Sequence, residues 1–203
     1  MLNTSIIPYL IELGKEHKDW YKQTREFIYT EFPYDDFNII IDMLAATSQR
    51  SSISSNVTQF FKAYYQFKNG LPFEGFLTTV KNNLTNAISR QPLNGRKIHS
   101  FSRAMKGDLN AVVVDIWICR ALDVDRKYIR TGYSNPISGG ASDLIYTQCE
   151  NFFRREAVRY NLYPAEMSAM VWAGIRKKEN NRYIPQTYNT FIDKRLKQLS
   201  LKF

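Results

Sequence analysis

The chain has 203 residues, 28 of them Lys or Arg and 19 Asp or Glu, for a formal net charge of +9. Hydrophobic residues at 44% and aromatics at 14% supply a core and exclude a largely disordered chain, and no run approaches the ~18 apolar residues that suggest a membrane span. Two cysteines and two histidines are too few for a disulfide scaffold, a four-cysteine zinc site, an iron–sulfur cluster or a histidine-rich metal site. No metal and no cofactor are expected, and Cys119 and Cys149 read as buried thiols. The start Met1-Leu2-Asn3-Thr4-Ser5 has no basic residue before an apolar block, so a cytoplasmic protein is expected.

In chain order the pattern is helical nearly throughout. Residues 4–30 carry Ile7, Leu10, Ile11, Leu13, Trp20, Phe27 and Ile28, a helix pair or one long helix stopped by Pro33. Asp35 or Asp36 caps the next, which holds Phe37, Ile40, Ile41 and Leu44 and ends in a polar stretch over 47–52. Ser54 or Ser55 then caps a helix with Val57, Phe60, Phe61, Tyr64 and Phe67, closed by Asn69-Gly70. Residues 73–89 predict a further helix, 91–95 a break, and 96–105 a short helix ending at Gly107-Asp108. The run Ala111-Val112-Val113-Val114 could be a buried strand, but without evident strand partners it is expected as helix or tight turn. Helical spacing resumes over 116–122, residues 123–140 are loop-rich, and helices follow at 141–160, 164–178 and 187–201. Pro164 suits a first helical turn. The whole, 1–203, reads as a single all-α domain of eight to ten short helices.

Charge is uneven along the chain. Residues 1–90 hold nine basic and nine acidic residues, whereas residues 91–203 hold 19 and 10, so the entire excess lies in the second half. Clustered cations gain from counterion release on a polyanion, which points to DNA as partner; a solvated basic surface is the alternative. Arg154, Arg155 and Arg159 form one such cluster, and Arg176-Lys177-Lys178 another.

The segment Gln91-Pro92-Leu93-Asn94-Gly95-Arg96-Lys97, followed by Val114-Asp115 and Arg120, resembles the helix-hairpin-helix DNA glycosylase superfamily of the endonuclease III type. The likeness covers about 36–122, which would make that span the glycosylase-like core, with 141–203 as basic helices packing on it. The chain also resembles a phage-encoded family of unknown function, through Leu44-Ala45-Ala46-Thr47-Ser48, Asn56-Val57, Gly107-Asp108 and the Glu166, Trp172, Arg176 helix. This would place it in the host cytoplasm.

The glycosylase resemblance implies a compact multi-helix fold and a protein that excises, modifies or recognises a flipped DNA base. It implies that Asp115 steadies positive charge on the sugar, that Lys97 attacks the anomeric carbon, and that the amides around Gly95, with Arg96, hold a phosphate. Gln49, Arg50 and Ser51 would wedge into the base stack. Each residue also has a plainer role: Asp115 a helix cap, Lys97 a phosphate contact, Gln49–Ser51 an exposed polar loop, and Trp117 a core residue rather than a stacking platform. Leu93 stands where the family has its first hairpin glycine, and the terminal cluster-binding cysteines are absent. The alternative is a non-catalytic DNA-binding or phage accessory protein, or more remotely a helical assembly protein.

Overall fold

The computed structural model describes residues 2–49, 51–125, 129–132, 135–180 and 187–200, and they are predominantly helical, as the spacing predicts. In chain order the elements are α1 (Ile7–Leu13), a 3-10 turn (Lys15–His17), α2 (Trp20–Glu31), α3 (Phe37–Thr47), α4 (Ile53–Lys68), α5 (Thr78–Ile88), α6 (Arg96–Lys106), α7 (Ile116–Ala121), β1 (Ile129–Gly132), β2 (Asn135–Ala141), α8 (Asp143–Arg159), α9 (Pro164–Glu179) and α10 (Tyr188–Ser200). They fall into two units. The first joins Met1–Tyr21 to Asp108–Pro185; the second joins Lys22–Gly107 to Gln186–Phe203. The span 36–122 therefore passes from the second unit into the first at Asp108. Among the described residues no helix is long and apolar enough to cross a membrane.

In the first unit α9 packs against α1, α7 and α8. Pro164 opens α9, and the Glu166 carboxylate accepts the Tyr163 N–H at 2.8 Å, satisfying a donor at the helix start. The α1–α9 crossing is as close as backbone allows. A Cβ on Gly174 would lie 2.1 Å from the Leu10 carbonyl oxygen, and one on Gly14 would lie 2.0 Å from that of Met170. Around this crossing Leu10, Val112, Ile118, Phe153, Met167 and Val171 are fully buried.

In the second unit α3 is central and packs against α4, α5 and α6. Asp36 caps α3 by accepting from the N–H of Asn38 at 2.9 Å and of Ile39 at 3.2 Å. Two buried polar groups tie the helices. Asp42 on α3 accepts from the Ser102 hydroxyl and, at 2.7 Å, from the Lys106 ammonium, both on α6. Asn56 on α4 donates to Leu44 O at 3.1 Å and Thr47 Oγ1 at 2.7 Å, and accepts from the Tyr188 hydroxyl of α10.

Of the two readings of 4–30 the helix pair holds, as α1 and α2 with the 3-10 turn between them. Several other expectations need correction. The cap of α4 is Ser52, whose extended backbone lets Oγ accept from Ser55 N–H, rather than Ser54 or Ser55. The fifth helix begins only at Thr78, because Gly70 and Gly75 hold left-handed backbone at φ +63° and +71°. Ala111–Val114 is neither helix nor turn nor strand but an irregular, buried segment. Its ladder partner is a side chain: Tyr146 Oη donates to Val112 O at 3.1 Å and accepts from Val114 N–H at 3.3 Å. The loop-rich stretch contains an antiparallel ribbon, β1 with β2, in which Arg130 pairs with Gly140 and Gly132 with Asn135. In a two-stranded ribbon each strand has a free edge, so Pro136 and the Gly139-Gly140 pair fit a strand despite reading as breakers.

Two predictions follow from this packing. Gly174→Ala should lower unfolding stability by about 3 kcal/mol, the upper end for overpacking, because the new methyl meets backbone that cannot swing away; urea denaturation measures it. His17 is buried, and burial pushes its imidazole below the ordinary 6.5, against the opposing pull of Glu16. The unfolded chain therefore binds more protons below that pH, so stability should fall as pH drops from 7 through 6.5 toward the depressed folded value. A His17→Asn variant should flatten that part of the urea-midpoint profile.

Candidate nucleic-acid interface

Asp115 lies in the first unit, at the N-cap of α7. Its own backbone is extended, at φ −110° and ψ −174°, so its carboxylate folds over the helix start. Oδ1 accepts from the N–H of Trp117 at 2.9 Å and of Ile118 at 3.0 Å. Oδ2 accepts from the Trp172 indole N–H on α9 at 3.0 Å. Both oxygens are thus engaged in joining α7 to α9. Trp117 is half-buried, with the Arg120 guanidinium 4.5 Å and the Arg176 guanidinium 5.1 Å from its ring centroid. Arg176 also lies 4.9 Å from the Trp172 ring, and Arg120 pairs with Glu179 at 3.0 Å. This is a cation–π cluster against the core. Burial pushes the nearby Cys119 thiol, and that of Cys149, up to about 12, so both are inert as nucleophiles.

Lys97 belongs to the second unit, so neither unit by itself contains both residues of the expected catalytic pair. It sits half-buried in the first turn of α6 beside half-buried Arg96. Leu93, where the glycosylases carry glycine, is buried in the core. The loop before α6 is clamped by buried Asn83, which accepts from the Asn94 N–H at 2.6 Å and donates to Asn94 O at 3.1 Å. Asn94 N–H is therefore not available to a phosphate. Gly95 is the N-cap at φ +91°, with open space around a Cβ, so glycine is needed there for backbone conformation alone. No side chain caps α6 and no acid lies in its first turn. Two cations at a helix N-terminus oppose the helix dipole.

Of the wedge candidates, Gln49 Oε1 accepts from Thr79 Oγ1 at 3.0 Å and Ser51 Oγ accepts from Gln59 Nε2 at 3.0 Å. These bonds fix the turn to α5 and α4. Arg50 lies outside the described residues. On α8, in the first unit, Arg154 pairs with Glu150 at 3.4 Å, while Arg155 and Arg159 flank Glu156 at 3.0 and 2.9 Å. The Arg155 guanidinium, with Arg159, holds the Glu156 carboxyl below the usual carboxylate range. A groove of about 270 Å³ beside Thr4 and Phe152 is lined by this same trio, so an acid sits among its cations.

Sequence halves hide where the charge ends up. The first unit has 13 Lys and Arg against 12 Asp and Glu, a balance of +1; the second has 15 against 7, a balance of +8. Arg103, Lys62, Lys22 and Lys194 are exposed on the second unit. Arg103, with Lys106, is one of the basic clusters legible in the sequence; Lys194 is not a candidate there because 186–203 joins 22–107 only in three dimensions, and Lys22 and Lys62 lie in the charge-neutral first half. Among the described residues no three His, Cys, Asp or Glu gather to hold a metal ion.

Asp115→Asn should destabilise the first unit by about 1–3 kcal/mol. If the amide oxygen keeps the cap, its NH2 faces the Trp172 indole N–H, donor against donor. A drop in the thermal midpoint that Trp172→Phe partly relieves in the double variant checks this pairing.

A model described as a family of unknown function, DUF7178, matches residues 13–179. No curated protein and no solved structure matches the chain.

Proposed function

The chain belongs to DUF7178, a family of unknown function, and from its own surface we propose that it binds nucleic acid through the second unit, as a binding module. The observation that carries this is the charge balance of +8 on that unit against +1 on the first. Acids tie down part of it: Lys68, Arg90 and Lys106 each face an aspartate. The basic first turn of α6 and exposed Arg103, Lys62, Lys22 and Lys194 have the chemistry for phosphate contacts, whose gain comes from released counterions.

A second reading, a hairpin-glycosylase-like enzyme of phage type that excises or modifies a base, is favoured by one feature. Gly95, in left-handed backbone, opens α6 immediately before Arg96-Lys97. It is weakened by the Asp115 carboxylate, whose two oxygens already serve Trp117, Ile118 and Trp172. Base release or alteration from duplexes carrying damaged, mismatched or modified thymines, lost in Lys97→Ala, would establish the enzyme over the binding module.

For binding, duplex DNA affinity should fall steeply with salt. Arg103→Glu and Lys194→Glu should each weaken binding and lower the slope of log K against log salt by about one unit. Arg155→Glu with Arg159→Glu should do less, because those cations already share Glu156. Absent or salt-independent binding sinks the proposal, and a larger effect from the α8 pair moves the interface to the first unit.

A further inference from the structure

In the first unit, Arg155, Glu156 and Arg159 on the last turns of α8 line the groove of about 270 Å³ whose other wall is the start of α1. The spacing sets Arg155 and Arg159 one helical turn apart, with Glu156 between them in sequence. Glu156 divides its carboxylate. Oε1 accepts from Arg155 Nε at 3.0 Å and Oε2 from Arg159 Nη1 at 2.9 Å. Its side chain is 12% exposed, against 66% for Arg155 and 69% for Arg159. The acid thus lies inward of its two cations with both oxygens engaged, which leaves it little to offer a cationic ligand.

The arginines keep much more. Each guanidinium gives a single N–H to Glu156, and their remaining donors meet no acceptor among the described residues. The Arg155 guanidinium also lies over the Phe152 ring, 6.0 Å from its centroid, which holds it from a second side. A sheltered carboxylate that orients two guanidiniums without exhausting them prepares a seat for an oxyanion. The fork contact is then made with less rotamer freedom left to lose.

The walls indicate what the oxyanion is attached to. Ile7 and Phe152 are buried and form an apolar floor, while Pro8 and Tyr160 line the groove with exposed ring surface. The Thr4 and Tyr160 hydroxyls make no hydrogen bond among the described residues, so both can serve a polar ligand. Two cations against one acid leave a single positive charge to be matched. The volume is that of a small molecule.

We propose that this groove binds a small organic carboxylate, its oxygens held by the free N–H groups of Arg155 and Arg159 and its apolar body resting on Pro8 and Tyr160. The site belongs to the first unit and does not depend on the nucleic-acid reading of the second.

The test titrates the full isotope-labelled chain with benzoate, acetate, benzamide and phenyl phosphate, following backbone amide and arginine Nε–H signals by NMR. Benzoate should shift the signals of Ile7, Arg155, Arg159 and Tyr160 saturably. Acetate should bind more weakly for want of a body, and benzamide, of the same shape without the charge, should not bind. Phenyl phosphate, a dianion, should bind no better than benzoate. Arg155→Gln and Arg159→Gln should each weaken benzoate about tenfold or more, with spectra that remain those of a folded chain. Tyr160→Ala should weaken benzoate and leave acetate unchanged. Absent or scattered shifts with benzoate, equal binding of benzamide or acetate, tighter binding of phenyl phosphate, or arginine variants that bind as the wild type does overturn the inference.

Discussion

A single buried amide decides which residues make up the second unit. Asn56 donates to Leu44 O and Thr47 Oγ1 and accepts from the Tyr188 hydroxyl, and all three partners lie out of water. Tyr188 also meets Phe101 at 6.2 Å, and its complete burial pushes the phenol's ionisation well above the ordinary range, so it remains a donor. An unmade bond to any of these groups would leave a desolvated dipole at a cost of about 1–3 kcal/mol. The amide therefore fastens α10 to α4, and with it Lys194, Arg195 and Lys197. Without that attachment the unit would have a smaller positive balance.

The residues on which the sequence suggests a family resemblance do similar work. Thr47 and Asn56 meet in this network. Gly107, at φ +102°, ends α6 where a Cβ would lie 2.1 Å from the Arg25 guanidinium. Glu166 closes the start of α9, Trp172 holds the Asp115 carboxylate, and Arg176 covers Trp117 and Trp172. In each case a polar or special residue completes an element end or joins two helices. Such positions serve the architecture before they serve any chemistry.

This also explains what could be read in advance. Helix spacing located nearly every helix, and the caps Asp36 (with Asp35 as its rival) and Asp115 were among the readings the sequence offered, because their partners lie two and three residues away. The conformation of the valine run was not legible, because its hydrogen-bond partner is the Tyr146 hydroxyl, 32 and 34 residues along the chain. Leu93 departs from the family's hairpin glycine; it is a core residue, and its burial is a property of the folded unit rather than of the hairpin motif. The charge divided cleanly at the middle of the sequence yet lies differently in space, because the basic segments 91–107 and 186–203 both belong with 22–90, the latter held by a Tyr188–Asn56 bond that spans 132 residues. Local rules found most of the helices and some of their ends. Membership of a unit depends on contacts that no local window contains.

The two cysteines bring an unplanned convenience. Cys119 and Cys149 both lie in the core of the first unit, and the second unit contains none. A thiol that ionises only near about 12 meets an alkylating reagent at neutral pH almost entirely when its surroundings open. The rate at which the native chain takes up such a reagent is therefore a clock for opening of the first unit alone. It runs on the unmodified protein, and the second unit contributes no background to it.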